Sequence, residues 1–228
     1  MSSVKLRLDD IIEKRDNPIK AFLFDLDGTL IDSKEGIIET LTNFLNFKGN
    51  NVKKEQIRKL FGTPIEVIFR TMVPGIEEDE VWNYVKEVRE VYAKNHLQIT
   101  KAFPEVKGLL KALQDKGYRL GVASTKLKKF VVEALEHFEM LSFFEEVISG
   151  YEVENHKPAP DILLEITKRM NVSPSESVYI GDAPSDIEAG KKAGTITIAV
   201  LTGSHTEEKF KDVQPDFIIP SLDFLRVE

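Results

Sequence analysis

KAFLFDLDGTL, residues 20–30, sets a short apolar run, Ala21-Phe22-Leu23-Phe24, directly before two acids separated by one leucine, and then Gly28-Thr29. Four apolar residues bounded by a lysine and a polar loop suit a strand covered on both faces, as in a parallel sheet. Asp and Gly are also turn formers, so the acids read equally well, on this stretch alone, as the start of a turn. What separates the two readings lies far along the chain.

Downstream of this strand no convincing strand follows for some seventy residues. Ile37, Ile38, Leu41, Phe44 and Leu45 fall on one helical face, and Gly49-Asn50-Asn51 stops that helix. Further helices are expected over about Lys53 to Leu60, Ile65 to Met72 and Glu78 to His96, with Trp82 and Tyr84 in their shared core. Strands and helices then alternate. A helical stripe of Val106, Leu109, Leu110 and Leu113 ends at Gly117, and strands are expected at Tyr118–Ala123, Val147–Ile148, Ser177–Gly181, Thr195–Val200 and Asp216–Ile219. This order predicts an α/β fold, a doubly wound parallel sheet with right-handed crossovers, built from residues 1–32 and 101–228, with residues 33–100 inserted as a helical domain. Residues 1–18 read as a leader packing Val4, Leu6, Leu8, Ile11 and Ile12 against the body.

Composition narrows the function. A net charge of −7 disfavours nucleic acid and anionic membrane as partners, both of which select basic surfaces. No stretch approaches the roughly 20 apolar residues that span a bilayer. The absence of cysteine removes disulfides, thiolate metal sites and a cysteine nucleophile, and fits a cytoplasmic protein.

In parallel sheets, sites form beyond the carboxyl ends of the strands. There the sequence places Asp25 and Asp27, then Ser124 and Thr125, then the loop His156-Lys157-Pro158, and then Asp182 with Asp186. Four converging carboxylates repel strongly, since two unit charges about 4 Å apart cost roughly 4 kcal/mol at an effective dielectric of 20. Such a cluster must take up protons or a cation. An all-oxygen donor set suits Mg²⁺. Ser124 and Thr125 offer hydroxyl and backbone donors for an anion at a strand-to-helix turn, although such a pair is commonly just a helix cap. Lys157 suits a phosphate or a carboxylate.

The segments FDLDGTL (24–30), STK (124–126), HKPAP (156–160) and GDAPSD (181–186) together resemble the haloacid dehalogenase superfamily, in the branch with a small helical cap after the first strand. The resemblance spans nearly the whole chain and implies a Rossmann-like core. It implies that Asp25 attacks phosphorus to form an aspartyl-phosphate and that Asp27 serves as general acid and then base. It further implies Mg²⁺ on Asp25, the Asp27 carbonyl and Asp182, with Asp186 reaching the ion through water or ordering its loop. Ser124 and Thr125 would hold the phosphoryl oxygens, and Lys157 would balance charge. Asp27 favours phosphoryl chemistry over dehalogenation, which lacks the second acid.

The loop Phe61-Gly62-Thr63-Pro64 resembles the substrate-facing loop of phosphoglycolate phosphatases and their pyrophosphatase relatives, so Gly62 and Thr63 are candidate substrate contacts. The same residues also suit a simple interhelix break. Arg58, Lys59 and Arg70 are candidates to meet a second anionic group, although cations on a helix surface are usually solvated. The expected activity is hydrolysis of a small phosphorylated metabolite, with 2-phosphoglycolate foremost, by a monomer or homodimer. The alternatives are a β-phosphoglucomutase-like mutase, an inorganic pyrophosphatase and, less favoured, a non-catalytic binding protein.

Overall fold

A computed structural model describes residues 5–13, 17–61 and 63–227. Val4 and Gly62, both singled out from the sequence, lie outside the described residues. The chain divides into two compact units, Ser33–Lys101 and the remainder.

The larger unit is built on a six-stranded parallel sheet: β1 (Ala21–Phe24), β2 (Arg119–Ser124), β3 (Glu146–Ser149), β4 (Ser177–Gly181), β5 (Ile196–Val200) and β6 (Phe217–Ile219). Their spatial order is β3-β2-β1-β4-β5-β6. The chain runs outward from β1 to β3 and then returns to the far side of β1, so the order reverses between β1 and β4. That reversal is where α/β sheets open a crevice for ligands. All four residues of β1 are buried, as the uninterrupted apolar run requires. On one face, Leu23, Ala123, Ile148 and Tyr179 pack with Ile162, Leu163 and Ile166 of the helix Asp161–Arg169. On the other, Phe22 meets Tyr118 and Phe24 meets Phe144 edge to face, at centroid separations of 5.1 and 6.3 Å.

Register fixes what stands at the strand ends. Phe24 is paired with Val122 on β2 and with Ile180 on β4, which brings Asp25 level with Ala123 and Gly181. Ser124 is paired with Ser149 on β3. Near the start of the chain, Leu6–Arg7 pairs in parallel with Leu225–Arg226, and Leu8–Ile12 forms one short helix burying Leu8 and Ile11. Leu6 and Ile12, also expected to pack, are only half-buried.

The smaller unit consists of the helices Lys34–Phe47, Lys54–Leu60, Ile65–Met72 and Glu78–Asn95. Phe44, Phe69 and Tyr84 form a mutually edge-on or tilted aromatic trio at its centre, 5.3 to 5.9 Å between centroids. Trp82 does not join this core and is 53 % exposed. The buried stripe on its helix is Val81, Tyr84, Val85 and Val88, and a residue one position past Val81 is turned about 100° off that stripe. The exposed Arg58 and Arg70 are each held by two hydrogen bonds, to Glu35 and Glu78 respectively.

Candidate active site

The sequence DLDGT folds as a tight loop at the end of β1. The Leu26 carbonyl accepts hydrogen bonds from the N–H groups of Thr29, Leu30 and Ile31, and the Asp25 N–H donates to the Ile180 carbonyl at 2.9 Å. The turn expected of these residues and their place at the strand end are therefore compatible. The loop fixes the backbone, and the register carries Asp25 to the switch point.

Beyond the strand ends, Asp25, Asp182 and Asp186 each bring a carboxylate oxygen within 4.8 Å of the others. All three are at most 9 % exposed. The Lys157 ammonium, 2 % exposed, lies 2.7 Å from both Asp25 Oδ1 and Asp186 Oδ1. Asp186 is further held by the Tyr179 hydroxyl at 3.1 Å and, through Oδ2, by the Ala183 N–H at 3.0 Å. Asp27 stands apart from the trio, with its two carboxylate oxygens 2.8 and 3.0 Å from the Lys126 ammonium.

Glycines make this packing possible. A Cβ on Gly181 would lie 2.5 Å from Asp186, and one on Gly203 would lie 1.7 Å from Asp182 Oδ2. Gly28, at φ +83, adopts a backbone geometry that other residues rarely reach, and it too lies against Asp182. Thr202 donates its hydroxyl to the Gly28 carbonyl, tying the loop after β5 to the loop after β1.

The electrostatics register a shortage of positive charge. Burial pushes the Asp25 carboxyl up to about 7, with Lys157 opposing the rise and Asp186 and Asp27 adding to it. Burial, reinforced by the charges of Asp186 and Asp25, holds Asp182 well above the usual carboxylate range. Burial acts to lower the Lys157 ammonium, but Asp186 and Asp25 outweigh it and leave it raised. Were all four carboxylates ionised against the two ammonium groups, two negative charges would be left over, the complement of one divalent cation. Oxygen donors alone, buried and close together, fit Mg²⁺.

Ser124 closes β2, is 1 % exposed, and accepts the Lys126 N–H at 3.2 Å. Thr125, exposed, follows it. The next helix begins only at Lys128, with Leu127 before it, so neither residue is spent as a helix cap. Thr63, in the smaller unit, donates its hydroxyl to the Leu60 carbonyl at 2.7 Å, the geometry of a turn.

Sequence reasoning passed over Lys126, Tyr179, Thr202 and Gly203. Lys126 belongs to the segment STK (124–126), which by itself gives it no role. Thr202 and Gly203 follow β5, a strand end that no acid or lysine marks in the sequence. Tyr179 lies within the strand expected at Ser177–Gly181, and nothing local distinguishes its hydroxyl from a buried phenyl edge.

The haloacid dehalogenase-like hydrolase family model matches residues 22–200. The chain is similar to a phosphoglycolate phosphatase of Aquifex aeolicus, 31 % identical over 202 residues, which cover 88 % of this chain and 92 % of that one. It is likewise similar to the pyrophosphatase PpaX of Anoxybacillus flavithermus, 31 % identical over 208 residues, with 91 % and 95 % covered. Among solved structures it resembles a haloacid dehalogenase-like hydrolase of Streptococcus pneumoniae, with a TM-score of 0.75, 26 % identity, and 88 % and 93 % covered. With the acids, the lysine and the parallel sheet in the places described, the chain belongs to the haloacid dehalogenase-like hydrolase family.

Proposed function

We propose that this chain is a Mg²⁺-dependent phosphatase that hydrolyses small phosphorylated metabolites through an aspartyl-phosphate, with 2-phosphoglycolate the first substrate to test. The observation that carries the reading is the buried Lys157 bridging Asp25 and Asp186 at 2.7 Å beside Asp182. A nucleophile needs an ionised carboxylate, and in a buried site that state requires adjacent positive charge.

In the first half-reaction an Asp25 oxygen forms a bond to phosphorus while the ester oxygen departs with its electron pair, taking a proton from Asp27. In the second, Asp27 removes a proton from water, the water oxygen attacks phosphorus, and the Asp25–phosphorus ester opens to release phosphate. Asp25, the Asp27 backbone carbonyl and Asp182 would hold Mg²⁺, with Asp186 acting through water or by ordering the loop. Bound there, the ion neutralises phosphoryl charge. Lys157 steadies the nucleophile, and Ser124 and Thr125 donate to the phosphoryl oxygens. Positioning and electrostatics supply most of the acceleration in such transfers. Choice of the leaving group is assigned to the helical unit, for which the sequence offers Gly62 and Thr63 as candidate substrate contacts.

A small anionic substrate is supported by the names of the two relatives, a phosphoglycolate phosphatase and a pyrophosphatase. The test is phosphate release with Mg²⁺ over a panel containing 2-phosphoglycolate, pyrophosphate, hexose 1-phosphates and p-nitrophenyl phosphate, with Asp25→Asn as control. Release from no member of the panel overturns the reading. Isomerisation of a hexose phosphate without net release turns it into a mutase.

A further inference from the structure

Tyr179 occupies the middle of β4 within an otherwise apolar cluster that includes Leu23, Ile148, Ile162 and Met170. It is fully buried, and a phenylalanine would satisfy the packing around its ring. Its hydroxyl is not stranded there. It lies 3.1 Å from Asp186 Oδ1 and 3.2 Å from the Ala123 carbonyl at the end of β2. The Lys157 ammonium sits over the face of the same ring, 5.2 Å from its centroid. A buried hydroxyl costs free energy unless bonded, so its presence in an apolar cluster is explained by these contacts.

Two effects converge on Lys157. The ring face attracts the ammonium directly. The hydroxyl, the Ala183 N–H and Lys157 together supply three donors to Asp186, which fixes the carboxylate that in turn fixes the ammonium. Without the hydroxyl, Asp186 Oδ1 has one fewer donor and can turn about its Cβ–Cγ bond, and the Lys157 ammonium would follow it away from Asp25 Oδ1.

We propose that Tyr179 is a positioning residue that sets the Lys157 ammonium between Asp25 and Asp186, and so holds the nucleophilic carboxylate in its attacking geometry. The proposal rests on the phosphatase reading for its kinetic consequence, though not for its structural one. Tyr179 never touches substrate; it acts through Asp186 and Lys157.

The test is Tyr179→Phe, which keeps the ring and removes only the hydroxyl. Two measurements are made on the full chain. Steady-state kinetics at saturating Mg²⁺ should show kcat lowered about tenfold, the effect of one hydrogen bond to a charged group, with KM unchanged. Nitrogen-15 NMR of the lysine ammonium protons, with the Lys157 signal assigned by its loss in Lys157→Arg, should show faster proton exchange at Lys157 in Tyr179→Phe. Unchanged exchange overturns the proposal whatever the kinetics do, because a merely structural role can lower activity without freeing that ammonium. Unchanged kcat with faster exchange overturns the catalytic half. If the wild-type chain hydrolyses no phosphate ester, the phosphatase reading fails, and the NMR measurement still decides whether Tyr179 positions Lys157.

Discussion

Lys126 grips both carboxylate oxygens of Asp27, at 2.8 and 3.0 Å, across 99 residues of sequence. The ammonium is 13 % exposed and the carboxylate 30 %, so the pair is only partly screened by water. The lysine's own backbone is anchored as well. Its N–H donates to Ser124 Oγ, and its carbonyl accepts from Ser149 Oγ at 2.7 Å. The residue assigned as proton donor and acceptor is thus aimed from the loop that follows β2.

Lys126→Met should therefore impair proton delivery to the leaving group. Turnover of an alkyl phosphate is expected to fall about a hundredfold, within the range of general acid catalysis. An activated aryl phosphate, whose leaving group needs little protonation, should lose much less. Comparing kcat/KM for the two substrate classes checks this, and equal losses would remove Lys126 from the proton-transfer step.

Asp25→Asn should abolish phosphate release while leaving the fold intact, because the amide removes a buried charge that its surroundings already disfavour. Circular dichroism and phosphate release on the same preparation measure both halves. Steady release above a contamination control contradicts the nucleophile assignment.

The raised Asp25 carboxyl makes stability depend on pH in the metal-free protein. Its folded-state value of about 7 exceeds the ordinary 3.8, so between these values the folded chain binds more protons than the unfolded one. Stability from this group is full below about pH 4 and is lost as pH rises through about 7. Chelator-treated protein should melt at a lower temperature at about pH 8 than at about pH 5, and added Mg²⁺ should raise the midpoint more at the higher pH. An equal gain at both values contradicts the charge-shortage reading.

Gly203→Ala should raise the Mg²⁺ concentration needed for half-maximal activity by about tenfold or more, the usual scale for disturbing a ligand's support. The added methyl would start 1.7 Å from Asp182 Oδ2 and must displace that carboxylate. A Mg²⁺ titration of activity is the measurement, and an unshifted midpoint removes Asp182 from the ligand set. In the same titration, Asp182→Asn should shift the midpoint further than Asp186→Asn, because Asp186 already receives Lys157, Tyr179 and the Ala183 N–H.

Much of the fold was legible because it is written in local patterns. The apolar run before Asp25 gave β1, and the stripe of Val106, Leu109, Leu110 and Leu113 gave the helix Val106–Asp115. Gly194, at φ +89, ends the helix Pro184–Ala193 where a glycine stop is expected. The two-residue strand Ile31–Asp32 is not legible in the sequence, since so short a strand has no period. Trp82 was misplaced because aromatic bulk suggested burial, whereas its position along the helix decided exposure.

The sequence by itself determined the element order, the parallel α/β class with its helical insertion, and which acids and lysine stand at strand ends. Hydrophobic periodicity, turn chemistry and motif spacing are properties of neighbours in the chain. Only the tertiary structure decided that Lys126 meets Asp27, that Lys157 bridges Asp25 and Asp186, that Tyr179 braces Asp186 from within the core, and that Gly28 and Gly203 close around Asp182. Lys126–Asp27, Lys157–Asp25 and Thr202–Gly28 span 99, 132 and 174 residues. Their meeting depends on strand order and register, which arise from the packing of the whole sheet and leave no mark on the residues adjacent in sequence.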